Sequence, residues 1–230
     1  MDYDLISFDL DGTLVDTACE IAEAANAALE MHGMAPRPAT EITDLIGAGT
    51  RALMLKLLAR CFEERPALVR SVQPDRVLAS FDEHYAITTG TSAVPYDGCR
   101  ETLTRLQAAG IRLACVTNKE LRHACAVLKV TGLERYFDLT LGGDSLPEKK
   151  PHGSVLRHAA AVLSASTART AHVGDSAIDV QAARNAGVAA WAVPYGYNAG
   201  KPIADANPER IFQNLLQVAD HVLAGHVAAA

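Results

Sequence analysis

Phe8-Asp9-Leu10-Asp11-Gly12-Thr13-Leu14-Val15-Asp16 is the stretch from which the rest of the chain is read. Just ahead of it, Leu5-Ile6-Ser7-Phe8 is an apolar run of strand length, and Gly12 marks the turn that ends it. Asp9 and Asp11 are therefore expected at the carboxyl end of a buried strand. In open α/β sheets the crevice beyond that end binds ligands, because loops and helix N-termini line it. Two carboxylates so close repel each other unless a cation or a shared proton relieves them, and a hard ion such as Mg²⁺ is the natural partner. With the ion bound, one Asp could attack phosphorus while the other moves protons at the leaving and attacking oxygens. The competing reading is a strand end with solvated carboxylates and an Asp-Gly turn, and the motif alone does not separate the two.

Three later segments change that balance, each lying where an apolar run ends. Leu113-Ala114-Cys115-Val116 delivers Thr117-Asn118-Lys119, whose hydroxyl, amide and backbone N–H groups suit a phosphate oxygen. Lys149-Lys150-Pro151 follows Gly142-Gly143-Asp144-Ser145, and a lysine there could neutralise both a nucleophilic carboxylate and a phosphoryl group. Lys150, next to the proline, is the better placed of the two. Thr170-Ala171-His172-Val173 leads into Gly174-Asp175-Ser176-Ala177-Ile178-Asp179, which reads as a strand with Asp175 as a further metal carboxylate and Asp179 behind or beside it.

These four segments, in this order, resemble the haloacid dehalogenase superfamily of phosphohydrolases over essentially the whole chain. The resemblance implies a doubly wound, Rossmann-like α/β core with a mainly parallel sheet and an inserted α-helical cap. It makes Asp9 the nucleophile that becomes an aspartyl phosphate, Asp11 the general acid/base, and Thr117 and Lys150 the phosphoryl-binding groups. It implies Mg²⁺ held by the Asp9 carboxylate, the Asp11 backbone carbonyl and the Asp175 carboxylate, with Asp179 reaching a metal-bound water. Gly12, Thr13 and Asn118 are candidate substrate contacts. Gly142 to His152 and Tyr195-Gly196-Tyr197-Asn198 look like bacterial phosphoglycolate phosphatases, which use Mg²⁺ to hydrolyse 2-phosphoglycolate to glycolate and phosphate. Gly153, where a second proline is common, and Ala177-Ile178, in place of a more polar pair, depart from that pattern. Sugar-phosphate phosphatases, including those acting on N-acetylmuramic acid 6-phosphate, and phosphomutases share the catalytic set. A non-enzymatic phosphate-binding scaffold is the rival outside catalysis.

Phosphoryl transfer asks for in-line positioning and charge neutralisation, which this set supplies. At about 4 Å, an anionic carboxylate facing an anionic phosphate is repelled by several kcal/mol at intermediate dielectric.

Thr17 to Ala93 carries helical rather than alternating patterning. Glu20 to Met31 has Ala and Leu at helical spacing and closes at His32-Gly33. Further apolar faces follow at Leu53 to Leu58 and Val77 to Phe81, with prolines between. The expected division is a catalytic core of residues 1–16 and 92–230 and a helical cap of residues 17–91. In the cap, Ile46-Gly47-Ala48-Gly49-Thr50-Arg51 is a glycine-rich turn entering a helix, and Arg51 could pair bidentately with a carboxylate or phosphate. A plain interhelical turn with Arg51 in water is the bland alternative.

The remainder alternates strands with helices expected at 100–109, 120–132, 153–163, 179–186 and 207–223. Gly110, Gly132 and Gly187 stand where helix-ending glycines belong. Ala228-Ala229-Ala230 is expected to fray. Trp191 is assigned to the core, His172 to a buried layer, and Tyr197 and Asn198 to the rim of the site.

With 230 residues, 49% hydrophobic and 21% charged, the chain has the composition of an ordinary globular enzyme. Its net charge of −6 disfavours nucleic acid as a partner, so phosphate affinity must be local. The acidic start and short apolar run after it resemble neither a signal peptide nor a membrane span, so a cytoplasmic enzyme acting on a small phosphorylated metabolite is expected. The five cysteines lack metal-binding spacing and are expected to be reduced, with Cys115 and Cys125 acting as small hydrophobes.

Overall fold

The computed structural model describes residues 3–227. The expected fraying of Ala228 to Ala230 lies outside the described residues. In chain order the strands are β1 (Leu5–Phe8), β2 (Val15–Asp16), β3 (Val94–Pro95), β4 (Arg112–Val116), β5 (Leu139–Leu141), β6 (Thr170–Gly174), β7 (Ala189–Ala192) and β8 (Arg210–Ile211). The α-helices are α1 (Ala18–Met31), α2 (Ala39–Thr43), α3 (Thr50–Glu64), α4 (Pro74–Thr88), α5 (Cys99–Ala108), α6 (Leu121–Val130), α7 (Ser154–Val162), α8 (Ala177–Ala186) and α9 (Leu215–Val227).

Six strands form one parallel sheet in the order β5-β4-β1-β6-β7-β8. Both faces are covered, which is why its strands read as unbroken apolar runs instead of alternating ones. One buried cluster joins Ile6, Phe8, Leu113 and Trp191 to α5, α6 and α9. The other joins Leu5, Ala114, Val116 and Ala190 to α7 and α8. The chain runs outward from β1 through β4 to β5, then returns to β6 on the other side of β1. That reversal opens a crevice at the carboxyl end of β1.

Helices α1 to α4 enclose a third buried cluster of their own, including Ala25, Leu29, Met54, Leu57 and Tyr85. The chain enters and leaves this helical segment through β2 and β3, which pair antiparallel, Val15 with Pro95 and Asp16 with Val94. Such a two-residue pairing has no periodicity to reveal it. The helix expected over 207–223 begins only at Leu215. Asn207 takes a left-handed conformation ahead of Pro208, and residues 209–212 add an edge strand through Glu209 N–H to Ala190 O and Phe212 N–H to Ala192 O. Trp191 and His172 are buried as expected, whereas Cys125 is exposed on α6.

Candidate active site

β1 lies between β4 and β6, with Phe8 in register with Cys115 on one side and Val173 on the other. The residues just beyond those positions, Asp9, Thr117 and Asp175, therefore leave the sheet together. The Asp9 N–H is held by Val173 O at 2.9 Å, the last rung before the loop. The Lys149-Lys150-Pro151 turn, leading into α7, brings Lys150 beneath them.

Lys150 is buried, with Nζ 2.9 Å from Asp9 Oδ1 and 2.7 Å from Asp179 Oδ1. Asp179 is saturated: Oδ1 also faces His172 Nε2 at 3.3 Å, and Oδ2 accepts from Ser176 N–H at 3.1 Å and Ser176 Oγ at 2.6 Å. The Ser176 contacts form a capping box that starts α8. A neutral His172 satisfies both neighbours if Ser7 Oγ donates to Nδ1, 2.9 Å away, and Nε2–H points at Asp179. Burial favours that neutral form. Burial pushes the Asp179 carboxyl up, but Lys150 and His172 outweigh it, and the net direction is strongly down.

Asp9 and Asp175 go the other way. Burial, opposed by Lys150, raises the Asp9 pKa to about 6. Burial and the charges of Asp179 and Asp9 push Asp175 well up, although Thr13 Oγ1 donates to it at 2.8 Å and Tyr197 N–H also donates. Asp9, Asp175 and Asp179 are buried and offer oxygens within 4.8 Å of one another. Lys150 lies close enough to Asp9 to form an ion pair but is not aligned as a hydrogen bond, so Asp9 Oδ1 lacks a donor. Three carboxylates against one ammonium leave two formal negative charges in a pocket of oxygen donors, which fits a divalent cation.

Asp11 sits nearer the surface, where its Oδ1 accepts from Thr17 Oγ1 at 2.6 Å and Lys119 Nζ at 2.7 Å. Lys119 is buried, and its ammonium stands 5.1 Å from the centre of the Tyr85 ring. Burial opposes its charge, but Asp11 and Tyr85 more than offset that and raise its pKa. Glu20, buried on α1, has Oε2 bonded to Gly90 N–H at 2.9 Å, and burial raises its pKa.

A cavity joins these groups to the helical segment. Asp9, Asp11, Thr117, Asn118 and Lys119 line one side, and Ile21, Ile46, Gly47, Gly49, Thr50 and Leu53 the other. Its volume is about 350 Å³. Thr117 Oγ1 accepts the Lys119 N–H at 3.2 Å, leaving its own proton to donate elsewhere. The Asn118 amide donates at 2.9 Å to both Gly47 O and Lys150 O, tying the helical segment to the lysine turn. Lys149 Nζ bonds Ala48 O at 2.7 Å, so the lysine that approaches Asp9 is Lys150.

Arg51 is not brought to this cavity. Its side chain is 66% exposed and 3.6 Å from Asp75. Thr50 and Leu53 face the cavity, and a residue one position along a helix is turned by about 100°, which sends Arg51 outward. Gly12 and Thr13 do not line the cavity either. At Gly12, with φ +81°, a Cβ would collide with Asp175 and Tyr197, and the buried Thr13 hydroxyl serves Asp175. Tyr197 is buried, not at the rim: its hydroxyl accepts from Thr17 N–H at 3.0 Å and Ala18 N–H at 3.1 Å and donates to Asp16. Asn198 Oδ1 accepts from Ala177 N–H at 3.1 Å at the start of α8. Lys119, Glu20 and the inward role of Tyr197 were not singled out by sequence. Their signals were a lysine following Thr117-Asn118, an acidic residue within an Ala-rich helix, and an aromatic after the last core strand.

A sheet reversal with a carboxylate cluster and a buried lysine at its carboxyl edge defines a class of hydrolase. Residues 6–193 match the family described as haloacid dehalogenase-like hydrolase, and the chain belongs to it. It is 36% identical over 228 residues to a phosphoglycolate phosphatase of Psychrobacter arcticus, covering 99% of both chains. It is 37% identical over 215 residues to one from Thiobacillus denitrificans, covering 93% of both. The crystal structure of a predicted phosphoglycolate phosphatase from Haemophilus somnus superimposes with a TM-score of 0.88 at 30% identity, covering 96% of this chain and 98% of that one. No helix among the described residues is long and apolar enough to cross a membrane.

Proposed function

We propose that this protein is a Mg²⁺-dependent phosphomonoester hydrolase that converts 2-phosphoglycolate to glycolate and phosphate through an aspartyl phosphate. The observation that carries the reading is Asp9, buried against Lys150, at the floor of a cavity that Asp11 and Thr117 also line. The names of its relatives support the substrate.

An Asp9 carboxylate oxygen attacks phosphorus in line, and the ester P–O bond breaks. Asp11 gives a proton to the departing alkoxide. It then takes a proton from the water that attacks phosphorus, releasing phosphate and restoring the Asp9 carboxylate. Lys150 neutralises nucleophile and phosphoryl charge, and the Thr117 hydroxyl holds a phosphoryl oxygen. Asp9, Asp175 and the Asp11 carbonyl would hold the Mg²⁺, while Asp179, its lone pairs occupied, would position Lys150 and reach at most a metal-bound water. When bound, the ion supplies the positive charge that lets an anionic carboxylate approach an anionic phosphate. Residues 17–91 are read as a cap that opens to admit substrate and closes to exclude water, over a core of 1–16 and 92–230. Five free cysteines suit a reducing cytoplasm.

The test is phosphate release with Mg²⁺ from 2-phosphoglycolate, hexose 6-phosphates, N-acetylmuramic acid 6-phosphate and nucleoside monophosphates, with Asp9→Asn as control. A dominant rate on 2-phosphoglycolate that the control lacks supports the proposal. Preference for a sugar phosphate would replace the substrate, isomerised sugar phosphate would indicate a mutase, and no turnover would indicate a binding role.

A further inference from the structure

Lys119 is the one cationic side chain among the residues lining the cavity, and the mechanism above gives it no contact with substrate. The other nearby cations are committed. Lys150 lies on Asp9 and Asp179, Lys149 bonds Ala48 O, and Arg51 turns outward to Asp75. An ammonium carries three donors. Of those on Lys119, one is aimed at Asp11 Oδ1 at 2.7 Å and a second faces Tyr85, whose ring centre is 5.1 Å from the nitrogen, which leaves the third. Glu20, the remaining carboxylate nearby, gives Oε2 to the Gly90 N–H, while its Oε1 is buried without a hydrogen-bond partner. A buried ammonium with spare donor capacity is a recognition group for an acceptor that arrives with a ligand.

We infer that Lys119 binds a carboxylate that the substrate carries on the carbon next to its ester oxygen, and thereby selects phosphorylated 2-hydroxy acids over phosphate monoesters whose organic group is uncharged. The inference rests on the phosphatase reading and adds the residue and chemical group that set its specificity. Distance argues for it. A proton donor works within about 3 Å of the atom it serves, so an ester oxygen served by Asp11 stands within about 6 Å of Lys119 Nζ if Oδ1 serves it and about 8 Å if Oδ2 does. A carboxylate on the adjoining carbon spans about 3 Å of that gap, and at the shorter separation a hydrogen-bond length remains. An alcohol, alkyl group or sugar ring at that point offers the ammonium no anionic partner beyond Asp11. Opposite, the Ile21, Ile46 and Leu53 side chains offer sugar hydroxyls no partner, and the Thr50 hydroxyl donates to Glu120.

The experiment compares kcat/KM for 2-phosphoglycolate and ethyl phosphate, which has a methyl group where the carboxylate would be, in the Mg²⁺-loaded wild type and in Lys119→Met and Lys119→Arg. Lys119 also touches Asp11, so a loss of proton transfer lowers both rates and cancels in their ratio. The wild type should prefer 2-phosphoglycolate by at least about a hundredfold. Lys119→Met should lower that ratio by about ten- to a hundredfold, the worth of a charge-assisted hydrogen bond, and Lys119→Arg should restore part of it. An unchanged ratio in a folded Lys119→Met overturns the inference and leaves Lys119 acting only through Asp11. Should that variant not fold, the wild-type comparison decides: equal rates on the two esters overturn the inference while leaving the phosphatase reading intact. Release of phosphate from no monoester at all overturns the phosphatase reading and this inference with it.

Discussion

Asp179 holds Lys150: the carboxylate Oδ1 lies 2.7 Å from Nζ, both side chains are 1% exposed, and the same ammonium reaches 2.9 Å from Asp9. One acid positions the cation that another acid uses. Asp179→Asn should therefore cost about 3 kcal/mol of stability, since it leaves a buried ammonium half-paired and weakens the capping box of α8. Phosphate release should fall at least about a hundredfold. Urea unfolding and steady-state assays on the same preparation check both.

Asp9→Asn should separate function from stability. Burial disfavours the Asp9 charge, which offsets the loss of one Lys150 partner, so Asp9→Asn should cost the metal-free protein less stability than Asp179→Asn while abolishing turnover. Thermal melts in EDTA beside phosphate-release assays are the check. A large loss of melting temperature would contradict this account of Asp9.

The pH dependence follows from the same group. Its pKa rises from the ordinary 3.8 to about 6 in the folded chain, so between those values the folded state holds a proton that the unfolded state releases. Asp9 thus favours the metal-free fold below about pH 4, and that contribution fades as pH rises through 6. Under the proposed mechanism Mg²⁺ binds the ionised carboxylate, so its affinity should fall by up to about tenfold per pH unit below 6. The Mg²⁺-induced rise in melting temperature should accordingly be much larger at pH 7.5 than at pH 5.

Arg51→Ala should change kcat/KM by less than about twofold and stability by less than about 0.5 kcal/mol, because an exposed ion pair to Asp75 contributes little. A tenfold rise in KM would show that Arg51 swings inward when substrate binds.

Tyr197→Phe removes the oxygen that accepts the first N–H groups of α1 and donates to Asp16. The expected cost is about 1 kcal/mol, comparable to losing an N-cap, with a shift in KM because α1 begins the helical segment over the site. Denaturation midpoints and substrate titration measure the two effects.

Much was legible in sequence because it is local. The run Leu5–Phe8 is apolar and short and ends at a glycine turn, so a buried strand delivering Asp9 and Asp11 follows from periodicity and turn chemistry alone. Leu113 to Val116 and Thr170 to Val173 read the same way, and the order of these runs carries the parallel sheet with its helices.

Tertiary structure decided what depends on direction and on distant neighbours. Arg51 and Thr50 are adjacent in the chain, yet the helical turn between them sends one to water and the other to the cavity. Thr13 and Tyr197 sit in loops whose sequences are compatible with contact to a ligand, and packing turns both onto Asp175 instead. Asp179, in the first turn of α8, follows Asp175 closely in the chain, but only the approach of Lys150 from 29 residues away makes it a lysine anchor. Lys119 was visible as a residue but not as a partner of Asp11, 108 positions earlier. Strands and turns arise from interactions within a few residues, which sequence displays, whereas the charge pairs at the head of the sheet arise from which loops the parallel register aligns, and that is settled only when the whole chain has packed.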